Sequence, residues 1–488
     1  MTAGTPIALS LISHTNAGKT TLARTLLGRD VGEVRDAPHV TTEASAFPLI
    51  DTAEGDALLL WDTPGFGDSA RLAQRLRQQG NPIGWFLSEV WDRFRDRSFW
   101  LTQQAVRNVR DQADVVLYLV NAAEAPGDAG YLAPELAVLE WIGKPVIVLL
   151  NQAGPPRERA EELADEARWR DALASRSRVQ EVMSLDAFAR CWVQELTLFA
   201  AVGRALPAAR RPAFERLAGA WKARRMAQFD AAMAALAQPI ARAAGDRVTL
   251  PADRLLTRLG KSLGLARSEG ETPEARAAAA MGARLDADLR ECTDRLIAIH
   301  ALEGRAAGDV LSRLAADVRR DAPLDEGKAA MMGGVVTGAL SGLAADLAAG
   351  GLTLGAGMLA GAVLGALGGV GVARGVNVAR GRTEAELRWD DAFLDGLVAA
   401  ALLRYLAVAH WGRGRGEWQE SEYPPFWRER VTGLVTARGP ALAAIWALRT
   451  PGGDVGPIAE RLQDALAALA RALLDDLYPG ALAKGSDT

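Results

Sequence analysis

A short apolar run, Ile7 to Ile12, leads into Ser13-His14-Thr15-Asn16-Ala17-Gly18-Lys19-Thr20-Thr21 and then into a helical stretch ending near Leu27. No other feature constrains the fold of this chain as strongly. The stretch follows the pattern G-x-x-x-x-G-K-[ST], with Ser13 standing where the first glycine would be. Gly18 lets backbone N–H groups curl around an anion, and Lys19 adds a point charge. The helix that follows points its positive N-terminal end at the same place. The Thr20 hydroxyl is a hard oxygen of the kind that ligates a small divalent cation.

The surrounding pattern fits a parallel α/β sheet. The runs Ala57 to Trp61, Val115 to Val120 and Val146 to Leu150 are short, continuous and apolar, and a further strand is expected between Glu43 and Ile50. Such runs suit strands buried on both faces. After about Leu198 alanine, leucine and arginine dominate, strand signals vanish, and Pro212 to Ala237 and Glu274 to Ala316 have helical apolar spacing. The expected fold class is therefore α/β, a P-loop domain with a mostly parallel sheet, followed by a mainly α-helical C-terminal region. A chain of 488 residues is too long for one core. The divisions read from composition are 1–200, 201–328, 329–373 and 374–488. The net charge of −4 lacks the excess of a dedicated nucleic-acid binder, so nucleic acid is not an expected partner. Two isolated cysteines, Cys191 and Cys292, suit a reducing compartment, and no secretion signal precedes the first strand, so a cytoplasmic location is expected.

A second element stands downstream. Leu58-Leu59-Leu60-Trp61-Asp62-Thr63-Pro64-Gly65 is an apolar strand ending in D-x-x-G. An acid at such a strand end can hold a divalent cation through water, and the glycine amide can reach a terminal phosphate. Taken in order, Asn16-Ala17-Gly18-Lys19-Thr20, the pair Thr41-Thr42, and Trp61-Asp62-Thr63-Pro64-Gly65-Phe66 make the first 190 or so residues resemble the Era-like GTPases, the TrmE–Era–EngA group. That resemblance implies GTP and GDP as ligands, hydrolysis of GTP to GDP and phosphate, and Mg²⁺ as cofactor. It implies that Asn16, Ala17, Gly18, Lys19, Thr20 and Thr21 bind the nucleotide. Thr20, Thr41, Thr42 and Asp62 would surround the metal, and Lys19, Thr42 and Gly65 would serve the reaction, with Thr41 or Thr42 closing when the γ-phosphate is present. Phe66 stands where Ras-like enzymes carry a water-orienting glutamine. The group likewise has a hydrophobic residue there, so something else must position the water. In some relatives the asparagine corresponding to Asn16 helps hold K⁺, which raises K⁺ as a second cofactor.

Guanine recognition departs from the family. Asn151-Gln152-Ala153-Gly154 occupies the place of N-K-x-D. Asn151 retains an amide for the guanine edge and the stem of Gln152 can cover the ring, but Gly154 has no carboxylate to accept from the base. Ser184 and Leu185 are the candidates for the last base-contacting loop, and Asp186 is either a replacement acceptor or a helix cap.

Three further features bear on output. The 66–114 insertion carries Trp85, Phe86, Trp91, Phe94, Phe99 and Trp100, a face for the helical region or for a protein partner. In 329–373 the only charge is Asp346, and Gly357, Gly361, Gly365 and Gly369 recur every fourth residue, with Lys328 and Arg374 flanking. Two readings stand: a hairpin in contact with membrane lipid at the inner membrane, or a soluble pair of glycine-zipper helices. The cluster Arg210, Arg211, Arg216, Lys222, Arg224 and Arg225 suits a solvated helix face, a lipid surface or RNA. The leading expectation is a GTPase switch at the cytoplasmic membrane. The alternatives are a soluble ribosome- or RNA-associated GTPase and, given Ser13 and Gly154, a nucleotide-bound scaffold with little turnover.

Overall fold

The computed structural model describes residues 6–14, 17–29, 45–63, 69–77, 97–154, 156–250, 273–303, 372–377, 384–412 and 424–483. The expected positions Asn16, Thr41, Thr42, Gly65 and Phe66 lie outside these residues. So do Trp85, Phe86, Trp91 and Phe94 of the insertion, and the glycine-rich segment up to residue 371.

The first part is the expected sheet. Strands β1 (Ile7–Ser13), β2 (Ser45–Asp51), β3 (Ala57–Asp62), β4 (Val115–Asn121), β5 (Val146–Asn151) and β6 (Val179–Ser184) align in the order β2-β3-β1-β4-β5-β6. Only β2 runs antiparallel, against β3. The parallel register sets Leu11 beside Asp62, Ser13 beside Leu119 and Asn121 beside Asn151, so the chemistry-bearing residues gather at one edge of the sheet. Because side chains alternate along a strand, each central strand feeds two cores. Leu117 and Leu119 enter one, and Val116, Tyr118 and Val120 the other.

The second of these cores is closed by α2 (Ser69–Arg77), α3 (Arg97–Gln112), α4 (Leu132–Ile142) and α5 (Arg159–Leu173), through Leu72, Phe99, Val138 and Trp169. Phe99 of the aromatic insertion thus turns inward, with the Arg71 guanidinium over its ring. The first core is closed by α1 (Lys19–Leu27) and α6 (Trp192–Ala205) and does not stop there. It runs on through α7 (Arg211–Gly245) into the C-terminal helices. At 1.5 Å per residue this helix is about 50 Å long. Phe214, Leu217, Trp221 and Phe229 are buried along it, and truncating a side chain such as Trp221 there costs about 3–5 kcal/mol.

The helical part comprises α7, α8 (Pro273–Ile299), α9 (Asp391–Ala409), α10 (Pro425–Ala437), α11 (Gly439–Trp446) and α12 (Gly456–Leu477). Helix α9 is capped by Asp390, whose side chain accepts from the Phe393 N–H, and it is apolar nearly all round. Among the described residues it alone is long and apolar enough to cross a membrane, but 67% of its apolar window is buried inside the protein. Trp192 Nε1 of α6 donates to Tyr405 Oη of α9 at 3.0 Å, deep in the shared core.

One correction concerns strands. The sequence reading placed none beyond Leu198, yet β7 (Arg247–Leu250), β8 (Val372–Asn377) and β9 (Glu384–Trp389) form an antiparallel sheet in the order β7-β9-β8. In β9 the buried Leu387 and Trp389 alternate with less buried Glu386 and Arg388, a period-two pattern hidden by its charges. Arg374, read from sequence as the flank of an apolar hairpin, is a strand residue paired with Leu387.

Candidate nucleotide site

At the end of β1 the chain needs a left-handed residue to turn into α1, and Gly18 supplies it with φ 86°. Glycine is required twice over, because a Cβ here would lie 2.6 Å from the Asn151 carboxamide nitrogen. Lys19 folds back into the loop and is 8% exposed. Its Nζ donates to Ser13 Oγ at 3.0 Å, and that hydroxyl donates in turn to the His14 carbonyl. Ser13 in the first glycine position therefore adds a hydroxyl inside the loop. Burial pushes the Lys19 ammonium pKa down, against the charges of Asp62 and Glu135, which raise it.

Thr20 and Asp62 meet directly. Thr20 Oγ1 donates to Asp62 Oδ2 at 2.7 Å. Asp62 is 3% exposed, and its other oxygen, Oδ1, is buried with no hydrogen-bond partner among the described residues. Burial raises the Asp62 pKa, while the Thr20 hydrogen bond and the charge of Lys19 lower it. A hydroxyl and a carboxylate with an orphaned buried oxygen form a hard-oxygen pair that fits Mg²⁺. Thr63 secures the end of β3 by donating to the Leu11 carbonyl of β1.

The structure also brings together groups that motif reading passed over. His14 Nδ1 lies 2.7 Å from Glu135 Oε1, and Tyr118 Oη donates to Glu135 Oε2 at 2.6 Å. Glu135 is fully buried, and its pKa is raised by that burial against the hydrogen bonds of His14 and Tyr118. The His14 ring stacks on Tyr131, with centroids 4.4 Å apart and planes 14° from parallel. A signal existed: Glu135 is a lone acid in the apolar stretch Leu132-Ala133-Pro134-Glu135-Leu136, and such an acid needs buried partners.

The side expected from the sequence to face the base has a different character. Asn151 is fully buried, its Nδ2 donating to the Ala17 carbonyl at 2.7 Å and its Oδ1 accepting from Ala187 N at 2.8 Å. Its carboxamide thus ties the phosphate loop to the loop after β6. Gln152 and Gly154 take positive φ, 61° and 90°. Asp186 accepts from Ala153 N at 2.7 Å and from Phe188 N at 2.8 Å, which makes it a cap for both base-side loops. Ser184 N donates to Glu166 Oε1 at 3.0 Å, and the buried Leu185 donates its N–H to the Leu150 carbonyl at 3.1 Å.

The C-terminal part braces this half. Gly412, just past α9, donates its N–H to the Phe188 carbonyl at 3.2 Å, and a Cβ there would come 2.0 Å from the Ala187 oxygen. Arg430 of α10 donates to Glu158 Oε2 at 2.6 Å and to Asp476 Oδ2 at 2.7 Å. Beneath the loop, Glu195 is fully buried between Arg190 and Arg225 and accepts from Trp221 Nε1 at 2.9 Å, while Arg190 also donates to the Thr25 carbonyl of α1 at 2.6 Å. Arg211 apart, which donates to the nearby Leu206 and Arg204 carbonyls, the basic cluster seen in the sequence is spent on the same junction. Arg210 pairs with Asp114, Arg216 forks onto Asp56, Arg224 reaches the Leu49 carbonyl, Arg225 holds Glu195, and Lys222 donates to the Leu482 carbonyl. The Arg216 hydrogen bond holds the Asp56 carboxyl below its usual range.

Comparison with known proteins follows this division. Residues 170–433, more than half of the 488, match the sequence profile of a domain of unknown function, DUF3482. The chain belongs to the DUF3482 family. Ahead of this DUF3482 match, residues 9–152 match the profile of the 50S ribosome-binding GTPases, so the sheet with the phosphate loop is a P-loop GTPase domain. GTPase Der of Cronobacter sakazakii is 27% identical over 184 residues, 37% of this chain and 32% of Der. GTPase Era of Heliobacterium modesticaldum is 25% identical over 144 residues, 30% of this chain and 38% of Era. The chain therefore spans about a third of the length of the curated relatives it matches. A solved structure of Aquifex aeolicus Era bound to GDP·AlF4⁻ is 18% identical, covers 42% of this chain and 58% of that one, and superposes with a TM-score of 0.30.

Proposed function

We propose that this protein binds GTP with Mg²⁺ and hydrolyses it to GDP and phosphate, working as a nucleotide switch. The observation that carries the reading is the Thr20–Asp62 pair at 2.7 Å with Lys19 beside it, where the start of α1 meets the end of β3. The backbone around Gly18 and the N-terminus of α1 hold the phosphates, and Lys19 places its charge on the β- and γ-oxygens. Thr20 and Asp62 hold Mg²⁺, which when bound neutralises charge developing on the transferred phosphoryl group. Thr41 or Thr42 and the Gly65 amide complete the γ-phosphate side, as the family resemblance implies. Asn16 supports a K⁺ contribution, and equal turnover in potassium and sodium would remove it.

On this reading 1–200 is the nucleotide domain, 201–328 and 374–488 are the helical output, and the protein acts in the cytoplasm. The apolar, glycine-rich 329–373 supports contact with the inner membrane, and the 66–114 insertion supports a protein partner. The likeness of 9–152 to the 50S ribosome-binding GTPases favours a ribosomal partner instead, so RNA stays open as a ligand class. Cell fractionation separates the two: sedimentation with washed membranes supports the first, and sedimentation with ribosomes the second. The enzymatic reading is tested by turnover and titration of wild type and Lys19→Ala with GTP and Mg²⁺. Turnover and tight binding should vanish together in the variant, and unchanged values in it would remove the site assignment.

A further inference from the structure

We propose that His14, oriented by Glu135 and Tyr118, positions the attacking water for GTP hydrolysis, the task left open by Phe66; this rests on the reading of the chain as a GTPase. His14 belongs to the phosphate loop itself, between Ser13 and Gly18, and its side chain is 35% exposed. Behind it sits a carboxylate with no exposure, which accepts from Tyr118 at one oxygen and faces His14 Nδ1 with the other. A carboxylate so placed fixes the imidazole with the proton on Nδ1 and the lone pair on Nε2, the nitrogen turned away from Glu135. Stacking on Tyr131 fixes the plane of the ring. An oriented base backed by a buried acid is the geometry by which a side chain holds a nucleophile.

The step balances without another reactant. The water oxygen forms a bond to the γ-phosphorus, and the bond from that phosphorus to the β–γ bridging oxygen breaks with its electron pair remaining on GDP. His14 Nε2 accepts a hydrogen bond from the water, whose proton ends on the phosphate product or in solvent. His14 touches the reacting water, whereas Glu135 and Tyr118 act through His14 and are positioning residues. The same Glu135 charge opposes the desolvation of Lys19, so the acid serves both sides of the phosphate loop.

The test measures hydrolysis at saturating GTP, GTP affinity and melting temperature for wild type, His14→Ala, His14→Gln, Glu135→Gln, Tyr118→Phe and the double variant His14→Ala/Glu135→Gln. His14→Ala is expected to slow hydrolysis by ~10–100-fold with GTP affinity within about threefold, as for loss of a group acting on the transition state. Glutamine at 14 can hold water through its amide, so His14→Gln should recover part of the rate. Glu135→Gln should slow hydrolysis too, and the double variant should be no slower than His14→Ala. Tyr118→Phe keeps the ring in the core and should cost about two- to fivefold, which preserves the test if Glu135→Gln does not fold. Wild-type hydrolysis by His14→Ala, multiplying losses in the double variant, or affinity and rate falling in parallel would each overturn the proposal. A wild type that fails to hydrolyse GTP sinks the GTPase reading and takes this proposal with it, whereas an active wild type with an equally active His14→Ala sinks the proposal alone.

Discussion

The two halves of the nucleotide site are built on different logic. The phosphate half is local: Ser13, Gly18, Lys19 and Thr20 lie within eight consecutive residues, and Asp62 joins them from the neighbouring strand. The base half is assembled from afar. Asn151 and Asp186 are spent on binding backbone, and the loops they hold are braced by Gly412 and Arg430 from the helical part. On the proposed reading, a site divided this way would let one region set phosphate chemistry while the other ties nucleotide affinity to the state of the C-terminal helices.

The largest expected effect falls on the local half. Lys19→Ala removes a buried, charge-assisted donor and should weaken GTP binding by about a hundredfold or more, read by calorimetry. If affinity survives, the phosphate half is not where the motif places it. Next comes Gly412→Val, which forces a side chain against the Ala187 carbonyl. Overpacking of this kind costs about 1–3 kcal/mol, so GDP release should speed up by roughly tenfold while single-turnover hydrolysis holds. An unchanged release rate would mean the brace does not reach the nucleotide.

Asp186→Asn sharpens the comparison from the other side. It exchanges two charge-assisted caps for neutral ones and should weaken GTP about threefold to tenfold without a gain for xanthosine triphosphate. A switch toward xanthosine triphosphate would show that Asp186 reads the base and that the acid absent at Gly154 has been relocated. Arg430→Ala removes ion pairs that are partly solvent-exposed and should shift nucleotide affinity less than about twofold, with a stability loss near 1 kcal/mol or below.

A pH dependence of stability is also expected at the junction. Burial lowers the His300 pKa from 6.5 to about 4, with Arg225 and Arg190 adding to the shift. A base depressed in the folded state is protonated more readily when unfolded, so its contribution is complete above pH 6.5 and is lost as the pH falls toward 4. His300→Gln should flatten the dependence of melting temperature on pH in that window, and an unaltered slope would remove His300 as its source.

These outcomes track how far each region could be read in the sequence. Lys19, Thr20 and Asp62 follow from spacing along two strands, because a strand, a loop and a helix start fix their positions within a few residues. Gly412 meets the loop at Ala187 only because α9 packs beneath it, and nothing near residue 412 announces that contact. The basic cluster was visible as charge, but its partners Asp56, Asp114 and Glu195 lie on other elements, so its use as a junction was not. Glu135 was passed over, because an acid in an apolar stretch takes its meaning here only from His14, 121 positions away.

The central claim is that the chain is a GTPase, with a local phosphate half built on Lys19, Thr20 and Asp62 and a second half braced by the C-terminal helices. The most direct measurement is displacement of a bound fluorescent GDP by GTP and by ATP, with and without Mg²⁺. The account predicts that GTP competes at a concentration at least about a hundredfold below that of ATP, and that removing Mg²⁺ weakens GTP more than GDP. Equal competition by ATP and GTP would contradict it.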